Sequence, residues 1–150
     1  MYAKILVPVD GSATSSLGLD EAIRLARLSG GTLRLLHAID VLSMSIVPDN
    51  SFGMTVELMA ALKETGGQIL AAAKARVEAA GLPCETVLCE RYGSRVCDIV
   101  VDEAAAWGAE AIVLGTHGRR GVRRAMLGSD AEQIVRLAQV PVLLVRGRKA

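Results

Sequence analysis

The sequence predicts an α/β fold, an open parallel sheet of five strands with helices on both faces. Three observations carry that prediction. Short runs such as AKILVPV at 3–9, AEAIVL at 109–114 and PVLLV at 141–145 are rich in Val, Ile and Leu, the composition of strands covered on both sides. They alternate with segments whose apolar residues recur at helical spacing. The unit of strand, turn and helix repeats five times with the last helix absent, and such alternation implies right-handed crossovers into a parallel sheet.

Taken in order, the first strand spans 3–9 and ends at Asp10-Gly11-Ser12. Thr14 or Ser15 is the expected cap of a helix reaching residue 28, with Leu19, Ala22, Ile23 and Ala26 on one face. Ser29-Gly30-Gly31 stops it, and the second strand covers 32–39. Residues 40–53, with Pro48, Asp49, Asn50 and Gly53, form an irregular connection of a length that is usually functional or mobile. A long helix at 55–80 turns Ile69, Ala73, Val77 and Ala80 inward. Gly66-Gly67 is its weak point, since a mid-helix glycine costs about 1 kcal/mol against alanine. Gly81-Leu82-Pro83 leads into a third strand at 84–90. Ser94 is the expected cap of a helix using Val96, Ile99, Val100, Ala104 and Trp107. The fourth strand is 109–114, Ser129 caps a short helix carrying Ile134, Val135 and Ala138, and 141–145 is the fifth strand.

Composition narrows the function classes. A chain of 150 residues suits one domain, and although 51% of it is hydrophobic, no run of 18 apolar residues occurs to span a membrane. Aromatic residues are only 3%, which leaves no platform for stacking single-stranded nucleic acid. A net charge of +1 argues against nucleic-acid or membrane-surface partners, although Arg119, Arg120, Arg123 and Arg124 make a local basic cluster. The three cysteines, Cys84, Cys89 and Cys97, show no CxxC spacing, so a disulfide framework is not expected and a reducing cytoplasm is the natural setting. The opening residues lack the long apolar stretch of a signal peptide.

The segment 115–129 carries the chemistry. Glycine where a strand becomes a turn permits positive φ and close backbone approach to a ligand. Successive N–H groups there form an anion-binding concavity, and Gly128-Ser129 opens a helix whose free N–H groups favour phosphate. The spacing is Gly-x2-Gly-x9-Gly-Ser, from Gly115 and Gly118 to Gly128 and Ser129. It matches neither GxxxxGK[ST] nor GxGxxG after the first strand.

That spacing, with the opening KILVPVDGS and the closing stretch 140–146, resembles the universal stress protein family over essentially the whole chain. The resemblance implies a Rossmann-like sheet of order 3-2-1-4-5, commonly dimeric through the last strand. It also implies membership of the branch that this glycine spacing marks as ATP-binding, with or without Mg2+. Carried over by position, Asp10 contacts the adenine or ribose region, and the Ala38 backbone helps hold adenine. Gly115, Gly118, Gly128 and Ser129 hold ribose and phosphates, and Pro8, Val9, Thr116 and Arg119 complete the expected set. Asp130 departs from the small apolar residue common at its position. Its N–H can still donate, while its carboxylate calls for a divalent cation, the arginine cluster, or an outward rotamer.

Plainer readings stand beside these. Asp10 also suits an Asx turn with Gly11 and Ser12. The arginines suit a solvated loop face, His117 an exposed loop position, and His37 a hydrogen-bonded core position. Met44, Met54 and Met59 read as packing residues, and the cysteines as inert thiols. The leading functional expectation is a nucleotide-dependent regulatory module, because a complete phosphate cradle occurs without an assembled catalytic set. Two alternatives stay open: a slow ATPase or adenylyl-transferring relative, whose HxGH, KMSKS and SGGxDS motifs are absent, and an ATP-independent dimeric interaction protein.

Overall fold

The computed structural model describes residues 1–39, 56–91, 93–116 and 127–147. The strands are β1 (Lys4–Pro8), β2 (Thr32–Ala38), β3 (Cys84–Cys89), β4 (Ala111–Gly115) and β5 (Val142–Val145). Between them run α1 (Ala13–Ser29), α2 (Val56–Ala79), α3 (Val96–Trp107) and α4 (Ser129–Leu137). All strand pairs are parallel, in the order β3-β2-β1-β4-β5, which is the order expected.

Alternation along the strands divides the interior into two cores. Ile5, Val7, Leu33, Leu35 and Val113 point to the face that α1 and α2 cover with Leu19, Ala22, Leu70 and Val77. Leu6, Leu36, Ile112 and Leu114 point to the other face, against Ile99, Val100 and Ala104 of α3 and Ala131 and Ile134 of α4. A strand apolar at every position needs both coats, which is why β4 is buried from Ala111 to Leu114.

Helix ends differ from expectation by one to three residues. Ser12, not Thr14 or Ser15, caps α1, its side chain accepting from the Ser15 N–H at 3.1 Å. Gly30 closes that helix in the left-handed conformation, with φ 70°. Arg95 rather than Ser94 is the N-cap of α3, and Gly128 rather than Ser129 is the N-cap of α4; neither makes a side-chain cap bond.

The long helix runs unbroken through Gly66-Gly67 and buries Gly66, Leu70, Ala73 and Val77, whereas Ile69 and Ala80 are only partly buried. A Cβ on Gly66 would stand 2.8 Å from both His37 Cδ2 and Leu88 Cδ1. The glycine therefore lets α2 lie close on β2 and β3. In α4, Ala131 and Ile134 face inward, while Val135 is 46% exposed. Ala109 belongs to the turn after α3, where its N–H reaches back to the Ala104 carbonyl, so β4 begins later than expected.

Candidate functional site

The strand order places β1 between β2 and β4, so the carboxyl ends carrying Ala38, Asp10 and Gly115-Thr116 stand side by side. Order reverses between β1 and β4, the place where open α/β sheets leave a crevice. Alternation then selects a face. Leu6, Leu36 and Leu114 belong to the core under α3 and α4, and Pro8, Asp10, Ala38 and Thr116 follow them at two-residue steps.

Asp10 makes the Asx turn: its Oδ1 accepts from the Ser12 N–H at 2.8 Å, and Gly11 supplies φ 81°. Pro8 is half-buried on the crevice side of β1. Val9 lies on the opposite face, buried with Ile5 and Val7, and its N–H donates to the Leu36 carbonyl at 2.8 Å. Ala38 ends β2, paired in register with Cys89.

Positive φ, expected of these glycines, is not what two of them supply. Gly115 and Gly128 do not take positive φ, and Gly128 sits at φ −57°. Gly115 faces α1, where a Cβ would meet the Thr14 carbonyl oxygen at 2.6 Å. A Cβ on Gly18 of α1 would in turn approach the Gly115 nitrogen at 3.0 Å. Close packing of α1 on β4 thus requires Gly115.

Thr116 ties the site together. Its N–H donates to the Val145 carbonyl at 3.0 Å, and its own carbonyl accepts from the Gly128 N–H at 2.8 Å, which brings the start of α4 onto the end of β4. Thr116 is 2% exposed, yet its Oγ1 has no hydrogen-bond partner among the described residues. Ser129 and Asp130 follow, exposed in the first turn of α4. Gly118 and Arg119, with His117, Arg120, Arg123 and Arg124, lie outside the described residues, as do Met44, Met54 and the connection at 40–53.

Arg95, which the sequence did not single out, is ion-paired with Asp98 at 3.0 Å. Its guanidinium is held above its ordinary range first by hydrogen bonding to the Asp98 carboxylate, with the Asp130 charge adding in the same direction. The Asp130 contribution is not signalled by the sequence, because it depends on α3 and α4 packing together. Among the described residues, no group of three His, Cys, Asp or Glu is placed to hold a metal ion. A cleft of about 360 Å3 lies between α1 and α2, lined by Val9, Gly11, Ser15, Ile69, Ala73 and Arg76 among others, so it reaches the residues that flank Asp10. No described helix is long and apolar enough to cross a membrane.

Known proteins are similar to this chain in sequence and fold. Universal stress protein MJ0531 of Methanocaldococcus jannaschii is 32% identical over 150 residues, covering 99% of this chain and 85% of that protein. The solved structure of MJ0577, from the same organism, superposes with a TM-score of 0.86 at 26% identity, covering 100% of this chain and 99% of that one. A universal stress protein from Archaeoglobus fulgidus in complex with dAMP superposes with a TM-score of 0.69 at 26% identity, covering 96% and 98%. The family model described as "Universal stress protein family" matches residues 1–146, and with the strand order and motifs above, this chain belongs to that family.

Proposed function

We propose that the protein is an ATP-binding regulatory module of stress response, holding the nucleotide across the ends of β2, β1 and β4 at the start of α4. The observation that carries this reading is the Thr116 hydroxyl, buried on the crevice side of β4 and without a partner among the described residues. A buried hydroxyl left unpaired costs about 1–3 kcal/mol, and a ligand atom at that place removes the cost. The N-terminus of α4, which lacks a side-chain cap, supplies N–H groups and partial positive charge suited to phosphate. The dAMP complex of the Archaeoglobus relative supports an adenine nucleotide as the ligand class.

On this reading Asp10 and the Ala38 backbone hold adenine or ribose, with Pro8 shaping that end from the crevice side and Val9 supporting it from the opposite face. Gly115, Thr116, Gly118, Arg119, Gly128, Ser129 and the Asp130 N–H hold ribose and phosphates. Mg2+ accompanies the triphosphate, supplying charge neutralisation where the Asp130 carboxylate stands near. The module holds ATP and assigns no residue to catalysis. It works as a cytoplasmic homodimer joined through β5.

Calorimetric titration with ATP and with AMP, each with Mg2+, tests the reading. ATP binding is expected, and no heat at millimolar ligand overturns it; AMP binding alone overturns the choice of ATP. Thr116→Val is the sharper probe. Removing an unpaired hydroxyl should leave the nucleotide-free protein equally or more stable, while ATP affinity falls about tenfold. Unchanged affinity would remove Thr116 from the site.

A further inference from the structure

The peptide unit joining Val9 to Asp10 is held at both ends by side chains. Its carbonyl oxygen lies 2.7 Å from His37 Nδ1, and its N–H donates to Ser15 Oγ at 3.2 Å. A carbonyl oxygen only accepts, so His37 Nδ1 carries the proton and donates it. Because a peptide unit is planar, fixing its C=O and N–H fixes where the Asp10 Cα leaves β1. The Asp10 carboxylate is then caught by the Ser12 N–H at 2.8 Å. The Val9 N–H, bonded to the Leu36 carbonyl, anchors the preceding unit to the same strand that carries His37.

The ring itself has little room to turn. It lies on the α2 side of β2, opposite the crevice, and the Cβ that any residue but glycine would add at position 66 falls 2.8 Å from Cδ2 and 3.3 Å from Nε2. Gly66 thus admits the imidazole between α2 and the end of β1. We propose that His37 is a positioning residue for the nucleotide crevice: from the far face of the sheet, its Nδ1–H sets the peptide that presents Asp10, with Ser15 holding the other end. This rests on the crevice being the nucleotide site, as proposed above.

The test compares the full-length wild type with His37→Leu, His37→Asn and Ser15→Ala, each also combined with Asp10→Ala. Amide hydrogen exchange at Asp10 and Ser12 is read without nucleotide, and ATP–Mg2+ affinity by calorimetry. His37→Leu should speed exchange at Ser12 and weaken ATP about tenfold, the worth of one hydrogen bond. His37→Asn, whose side-chain N–H stands where Nδ1–H stood, should restore both. In the Asp10→Ala background, His37→Leu should cost no further affinity, because its effect passes through Asp10.

Unchanged Ser12 exchange in His37→Leu, failure of the asparagine to rescue, or losses that simply add would each overturn the proposal. Should His37→Leu not fold, Ser15→Ala releases the other end of the same peptide and decides it by the same readings. A wild type that binds no ATP overturns the functional reading alone; the exchange measurements still decide whether His37 holds the Asp10 turn.

Discussion

Cys84 opens β3 half-buried, with its thiol directed to the Glu85 carbonyl at 3.7 Å. Burial pushes its pKa from 9.0 up to about 11; Lys74 opposes the shift, and Glu78 and Glu85 add to it. Cys97, fully buried in α3, is raised chiefly by burial as well. The folded chain therefore keeps a proton on Cys84 that the unfolded chain gives up as pH rises from 9.0 towards about 11. Stability present below that window should be lost within it, and Cys84→Ser should flatten the loss. Urea unfolding midpoints at about pH 8 and about pH 10 measure the difference, and equal slopes for both proteins would refute it. From the sequence these thiols read as inert only because no motif surrounds them. The cause was not readable there, because burial belongs to the fold.

At the level of elements, adjacent glycines in α2 give opposite expectations. At Gly67 an added Cβ meets nothing within 4 Å, so Gly67→Ala should gain about 0.5–1 kcal/mol of helix propensity. Gly66→Ala gains the same but forces a methyl against His37 and Leu88. Overpacking of about 1–3 kcal/mol exceeds the gain, and the melting temperature should fall. Thermal melts of both variants check the pair; stabilisation at both positions would show that α2 is free to shift. From sequence the two glycines read as one weak point, since propensity treats every mid-helix position alike. Gly115 shows the same limit: its place after a strand signals nothing of the Thr14 backbone, which by itself excludes a side chain there.

Across the whole molecule, β3 and β5 are the outer strands, and β5 leaves Leu143 44% exposed on the α1 side. Leu17 of α1 is exposed as well. An edge strand with an exposed leucine invites pairing unless something covers it. If the proposed homodimer forms through β5, Leu143→Glu should place like charges at the junction and yield a monomer. Light scattering coupled to size exclusion reads this as a halving of mass, and an unchanged mass would place any dimer elsewhere.

By itself the sequence determined the class of fold, the five strands, the four helices to within a few residues, and the family. Each of these rests on period, composition or spacing, which are local properties of the chain. Only the tertiary structure decided what surrounds each residue: the core under each helix pair, the packing role of Gly115, and a Thr116 hydroxyl buried without a partner among the described residues. His37 reaches Val9 across 28 residues of chain, and Gly128 reaches Thr116 only once α4 has folded back onto β4. Contacts of that kind come from sheet order and strand alternation acting together, and no local pattern in the chain encodes them.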